Sequence, residues 1–149
     1  MRTFTIPGKP VGKGRPRFTR SGRAYTPKST KDYEKAVKRA YMAKYGDVEP
    51  YEGDIPLMVY IIAYFQIPKN DSKSTKEKKL KGEIPPTIKV DIDNICKIIL
   101  DGAQGVAFHD DKQIVCIAAE KRYSDNPRVE VVIREYEKFQ AQSLSKMRY

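Results

Sequence analysis

The sequence predicts a single α/β domain, and three observations carry that expectation. Its 149 residues suffice for one ordinary core and fall short of two comfortable domains. Segments of strand character and segments of helical periodicity follow one another as strand, helix, strand, helix, strand, strand. The composition, 40% hydrophobic and 32% charged, is that of a soluble globular protein.

Thr3 to Pro7 reads as a short opening strand. Ser29 or Thr30 can cap a helix running to about Tyr45, with Asp32 and Glu34 in its first turn and Gly46 as its stop. Tyr33, Ala36, Val37, Ala40 and Tyr41 share one face of it, which reads as core. Ile55 to Ile67 is almost unbroken apolar and rich in β-branched and aromatic residues, the pattern of a central strand buried on both faces. Residues 68–89 form a polar, lysine-rich insert with a short helix capped by Ser72 or Ser74 and stopped by Gly82. Ile92, Ile95, Cys96, Ile99, Leu100 and Ala103 recur at the spacing of an amphipathic helix. Gln113 to Tyr123 and Arg128 to Tyr136 read as strands; the turn Ser124-Asp125-Asn126-Pro127 between them suggests an antiparallel hairpin. The tail, 137–149, is polar and basic and reads as a frayed helix. No internal repeat is found.

The formal net charge is +10, which points to a polyanionic partner, nucleic acid before membrane surface or acidic protein. No stretch approaches the ~20 apolar residues of a membrane span, and the N-terminus lacks the apolar core of a signal peptide. A cytoplasmic protein with no membrane partner is therefore expected. Cys96 and Cys116 sit in apolar patterns, and a disulfide between them is not expected in a reducing compartment.

Positive charge concentrates in residues 8–28, where Lys9, Lys13, Arg15, Arg17, Arg20, Arg23 and Lys28 fall before the first acidic residue, Asp32. Gly and Pro exclude a helix here, and Ser21-Gly22 suggests a hairpin tip. This is a basic arm suited to DNA phosphates, with Phe18 and Tyr25 available to pack or to stack on bases. A plain solvated loop is the alternative, disfavoured because charges of one sign repel and gain little without an anion.

The chain is organised around Val90 to Ile114. Asp91 and Asp93 are two apart, so in extended backbone their side chains point the same way. Lys97 follows on the helix, and Asp110-Asp111 come after a turn. N-capping and an intrahelical ion pair account for Asp93 and Lys97 taken alone. They do not account for Asp91 or for the later pair. Gathered carboxylates repel one another unless a hard divalent cation lies between them. Oxygen-only ligands suit Mg²⁺ or Mn²⁺, whereas zinc would want His or Cys; the lone His109 is a poor zinc site. An EF-hand is excluded by Cys96 and Gly102 at the positions where it needs Gly and Glu. Aspartates on a surface that must meet a polyanion make sense when a metal converts repulsion into attraction, as in phosphodiester hydrolysis. Lys97 could then neutralise phosphoryl oxygens or protonate the 3′-oxygen.

The motif D-I-D-N-I-C-K, followed by D-G-A-Q-G-V-A-F-H-D-D-K-Q-I, resembles the RusA family of endodeoxyribonucleases that resolve four-way (Holliday) DNA junctions. The opening I-P-G-K-P-V-G-K-G-R-P-R-F and the insert ending in G-E-I-P-P-T are similar as well. The resemblance implies a compact α/β unit, a mixed sheet packed against two main helices. It also implies a catalytic set of Asp91, Asp93, Lys97 and Asp111, with Asp110 joining the metal-binding carboxylates. A homodimer with one metal site per subunit follows, each nicking one of two symmetry-related strands. Two alternatives remain open: a non-catalytic DNA- or RNA-binding protein with a structural cation site, and a nuclease for flaps, forks or RNA.

Overall fold

The computed structural model describes residues 1–137, so all but the first residue of the expected tail helix lies outside the described residues. β1 (Arg2–Pro7), β2 (Arg17–Phe18) and β3 (Ala24–Tyr25) are followed by α1 (Lys28–Tyr45) and β4 (Leu57–Gln66). Then come α2 (Lys73–Leu80), α3 (Ile92–Ala103), β5 (Ile114–Ser124) and β6 (Arg128–Glu135). The main sheet has the order β1-β6-β4-β5. Pairing is antiparallel for β1 with β6 and for β4 with β6, and parallel for β4 with β5. The expected mixed α/β domain is what forms.

The expected hairpin of the last two strands does not form. Ser124–Pro127 carries the chain across the end of β4, which lies between β5 and β6 and is bonded to both. The most apolar strand takes an interior position, where its backbone polar groups are paired on two sides. A second expectation changes too: β4 is buried along the whole of one face, whereas on the other only Met58 is buried. Leu57, Val59, Ile61, Ala63 and Phe65 are buried, whereas Tyr60, Ile62 and Tyr64 are half-buried. Both main helices pack on the same side of the sheet, where Val37, Tyr41, Ile95, Ile98 and Ile99 join the β4 and β6 residues in one core. The opposite face stays open.

α1 begins at Lys28, earlier than expected, and its N-cap, Pro27, offers no side-chain bond. Ser29 and Thr30 are therefore inside the helix, and Asp32 and Glu34 lie beyond its first turn. The Thr30 hydroxyl, buried, accepts from the amide of Gly14 at 3.0 Å instead, so it fastens the arm rather than the helix end. α1 and α3 touch at Gly102, where an added Cβ would come within 2.6 Å of the Val37 Cβ. That glycine, inside a helical pattern, is what lets the two helices approach so closely. In the insert, Ser72 caps α2 by accepting from the Thr75 amide, and Gly82 turns the chain at φ +79°. Lys79 is buried, paired with Asp71 and 4.6 Å from the centre of the Tyr123 ring, which docks α2 on β5.

Candidate active site

α3 presents the first aspartate pair. Asp91 occupies the N-cap position, yet its carboxylate accepts no capping bond, so helix capping leaves this side chain uncommitted. Asp93 follows in the first turn, 3.7 Å from the Lys97 ammonium, with both side chains about two-thirds exposed at 66% and 63%. An ion pair that wet contributes little to stability. Asp101 continues the same line of the helix, roughly 12 Å beyond Asp93 at 1.5 Å per residue.

The second pair sits on a short 3₁₀ turn, Asp111–Gln113, directly before β5. Asp110 caps that turn, accepting from the Lys112 amide at 2.9 Å. In return the Gln113 side chain accepts from the amides of His109 (2.9 Å) and Asp110 (3.2 Å), a reciprocal capping box. Gln113 is buried and also donates to the Ile55 carbonyl at 3.2 Å, which ties the turn to the entry of β4. Sequence reasoning passed over Gln113; the signal was the D-x-x-Q spacing of a capping box. The imidazole of His109 is exposed.

The two adjacent aspartates are driven apart in acidity. The Lys112 amide, and then a hydrogen bond from Asp111, hold the Asp110 carboxyl below the usual range. The hydrogen bond with Asp110 pushes Asp111 above it, aided by the charges of Asp110 and Asp101. The negative charge of Asp101, in the last turn of α3, adds to the acidic surface around this turn.

The basic arm is attached to that surface. The Lys13 amide donates to the Asn94 carbonyl at 2.9 Å. Its ammonium lies between Glu34, at 3.1 Å, and Asp101. Lys13 is thus occupied by carboxylates, whereas Lys9, Arg15, Arg17, Arg20, Arg23 and Lys28 are exposed. Between arm and helix lies a shallow cavity of about 370 Å³ lined by Gly12, Lys13, Lys89, Val90, Asp91 and Asn94. Beyond it the arm forms the expected hairpin: Arg17 pairs with Tyr25 and Phe18 with Ala24, and Gly22 takes φ +81° at the tip. The Phe18 ring is 70% exposed and Tyr25 45%, so both aromatic faces stand free beside the arginines.

Among the described residues, no group of three or more His, Cys, Asp or Glu side chains is arranged to hold a metal ion. The donors on this surface are nevertheless all carboxylate oxygens, the set that suits Mg²⁺ or Mn²⁺. Asp91, Asp93 and Asp111 are exposed.

The family model of the endodeoxyribonuclease RusA matches residues 7–134, a span that takes in the arm, both aspartate pairs and the sheet after β1 except the last residue of β6. The chain belongs to the RusA family. It is also similar to an uncharacterized protein of Bacillus subtilis, YqaN, with 38% identity over 137 residues, 89% of this chain and 94% of the relative. RusA membership makes the chain a member of a nuclease family. It leaves the ion and the pairing of subunits to be argued. No helix among the described residues is long and apolar enough to cross a membrane.

Proposed function

We propose that this chain is a Mg²⁺-dependent endodeoxyribonuclease that resolves four-way DNA junctions as a homodimer, in recombination and repair in the cytoplasm. One observation carries the reading: the arm with the free cations and aromatics is bonded, through Lys13 and Asn94, to the helix that bears Asp91 and Asp93. Phosphates gripped by the arm are thereby brought to the carboxylates. Asp91, Asp93 and Asp111 would hold the ion, with Mn²⁺ as a substitute for Mg²⁺, and Asp110 would support Asp111 from its capping position. When bound, the ion supplies an activated water and neutralises charge on the phosphorus being attacked. Lys97, one turn beyond Asp93, faces the same side and neutralises the phosphoryl oxygens. Lys9, Arg15, Arg17, Arg20, Arg23 and Lys28 track the DNA backbone, and Lys13 holds the arm in place.

Pairing of subunits is supported by the open sheet face, where Met58, Tyr60, Ala118, Val132 and Arg134 line a mainly apolar hollow of about 390 Å³. A second copy packed there would give two sites in a fixed two-fold relation, matching the two strands to be cut.

The reading is tested by incubating the protein with end-labelled four-way junction, linear duplex and single strand, with Mg²⁺ and with chelator. Paired nicks in the junction alone, abolished by chelator, are expected. Binding without any cleavage under metal-replete conditions would leave a non-catalytic nucleic-acid-binding protein, and equal cutting of flaps or RNA would reassign the substrate.

A further inference from the structure

Val90, the residue before Asp91, has φ +93° and is the only non-glycine with positive φ among the described residues. A β-branched side chain is rarely found there, because Cβ crowds the neighbouring carbonyl. Such a conformation persists when its surroundings hold it. Two contacts do so. On one side the arm presses close: a Cβ built on Gly12 would lie 3.2 Å from the Val90 Cγ1. On the other, the Lys121 ammonium donates to the carbonyl oxygens of Ile88 at 2.9 Å and Val90 at 3.3 Å.

Lys121 is placed for this by β5. It pairs with Ala63 of β4, so it takes a position on the helix-covered side of the sheet. Its ammonium lies 5.9 Å from the centre of the Phe65 ring, half-buried, and spends its charge on backbone carbonyls. A charged donor on two carbonyls is stronger than a neutral hydrogen bond. β5 also starts at Ile114, at the end of the 3₁₀ turn that Asp110 caps and Asp111 opens. One strand is therefore attached to both aspartate pairs, by its beginning to the second and through Lys121 to the first.

We propose that Lys121 is a positioning residue: by bracing the carbonyls of Ile88 and Val90 it holds Val90 in the left-handed region and so sets where Asp91 stands. For its catalytic consequence the inference rests on the nuclease reading above. For its structural content it does not.

The test compares Lys121→Met, Val90→Gly and the double variant. Amide hydrogen exchange over residues 88–94 is measured in metal-free protein without DNA, and Mn²⁺ affinity by calorimetry. Lys121→Met is expected to speed exchange in this segment about tenfold and to weaken Mn²⁺ binding to a similar degree, with the rest of the exchange map unchanged. Glycine adopts positive φ without strain, so the double variant is expected to recover most of the Mn²⁺ affinity. Val90→Gly alone should bind Mn²⁺ at least as tightly as the wild type; that arm holds even if the methionine variant does not fold. Wild-type exchange and affinity in Lys121→Met, no recovery in the double variant, or weakened binding in Val90→Gly alone would each overturn the proposal. A wild-type protein that fails to cut junctions would remove the proposed function and leave the exchange result standing.

Discussion

The backbone amide of Lys13 donates to the carbonyl oxygen of Asn94 at 2.9 Å, joining the basic arm to the helix that carries the first aspartate pair. With the bond from Gly14 to Thr30, it anchors the base of the arm on both main helices and leaves the hairpin beyond free to meet a polyanion.

The arm's residues should accordingly separate into two kinds. Replacing Arg15, Arg17, Arg20 or Arg23 by Ala is expected to lower the salt dependence of junction binding by about one unit of log–log slope per lost phosphate contact. Lys13→Met is expected to leave that slope nearly unchanged, because its ammonium is already held by Glu34 and Asp101. Binding isotherms across a range of salt decide this. An unaltered slope in the arginine variants would clear the hairpin of phosphate contacts.

Gly102 gives a stability prediction of definite sign. Alanine is better than glycine in a helix by about 1 kcal/mol, whereas overpacking a tight interface costs roughly 1–3 kcal/mol. Here the new Cβ would lie 2.6 Å from the Val37 Cβ and 2.9 Å from the Glu34 carbonyl oxygen. Backbone cannot step aside as a side-chain tip can, so overpacking wins and Gly102→Ala is expected to lower the unfolding free energy in urea. A variant as stable as the wild type would show that the helices are not in such close contact.

The Asp110–Asp111 pair predicts a pH dependence. In the proposed site, proton and metal would compete for Asp111, and hydrogen bonding to Asp110, helped by its charge, holds that proton to higher pH than an ordinary aspartate would. Metal affinity should therefore rise with pH through a window just above the usual carboxylate range. Asp110→Asn keeps an oxygen for the Lys112 amide and removes the charge, so it should move the window to lower pH. Mn²⁺ affinity measured against pH checks this; a window that stays put or moves up would contradict it.

Much of the fold was legible because it depends on local pattern. The apolar spacing from Ile92 to Ala103 specified α3, and the Ser21-Gly22 turn specified the arm's hairpin. What depends on partners was not legible. Nothing in the segments Ile114–Ser124 and Arg128–Glu135 shows that β4 lies between them, since alternation reports faces and not neighbours. The apolar run in β4 read as two buried faces because Tyr60 and Tyr64 look like core residues. In the fold their hydroxyls reach Glu120 and Glu130 on the open face. Thr30 read as a helix cap, but Gly14 claims its hydroxyl from sixteen residues away. At the acidic surface, D-x-D-N and D-D singled out the carboxylates, and the family resemblance suggested the use proposed for them. The conformation of Val90 and the reach of Lys121 are tertiary and leave no trace in the local sequence.

The central claim is that aspartates from α3 and from the 3₁₀ turn share one divalent ion. Mn²⁺ binding followed by electron paramagnetic resonance, in wild type, Asp93→Asn and Asp111→Asn with an uncleavable junction present, tests it most directly. The account predicts that either substitution abolishes the bound signal while junction binding persists. Wild-type Mn²⁺ binding in Asp111→Asn would contradict it, because the two pairs would then not meet at a common ion.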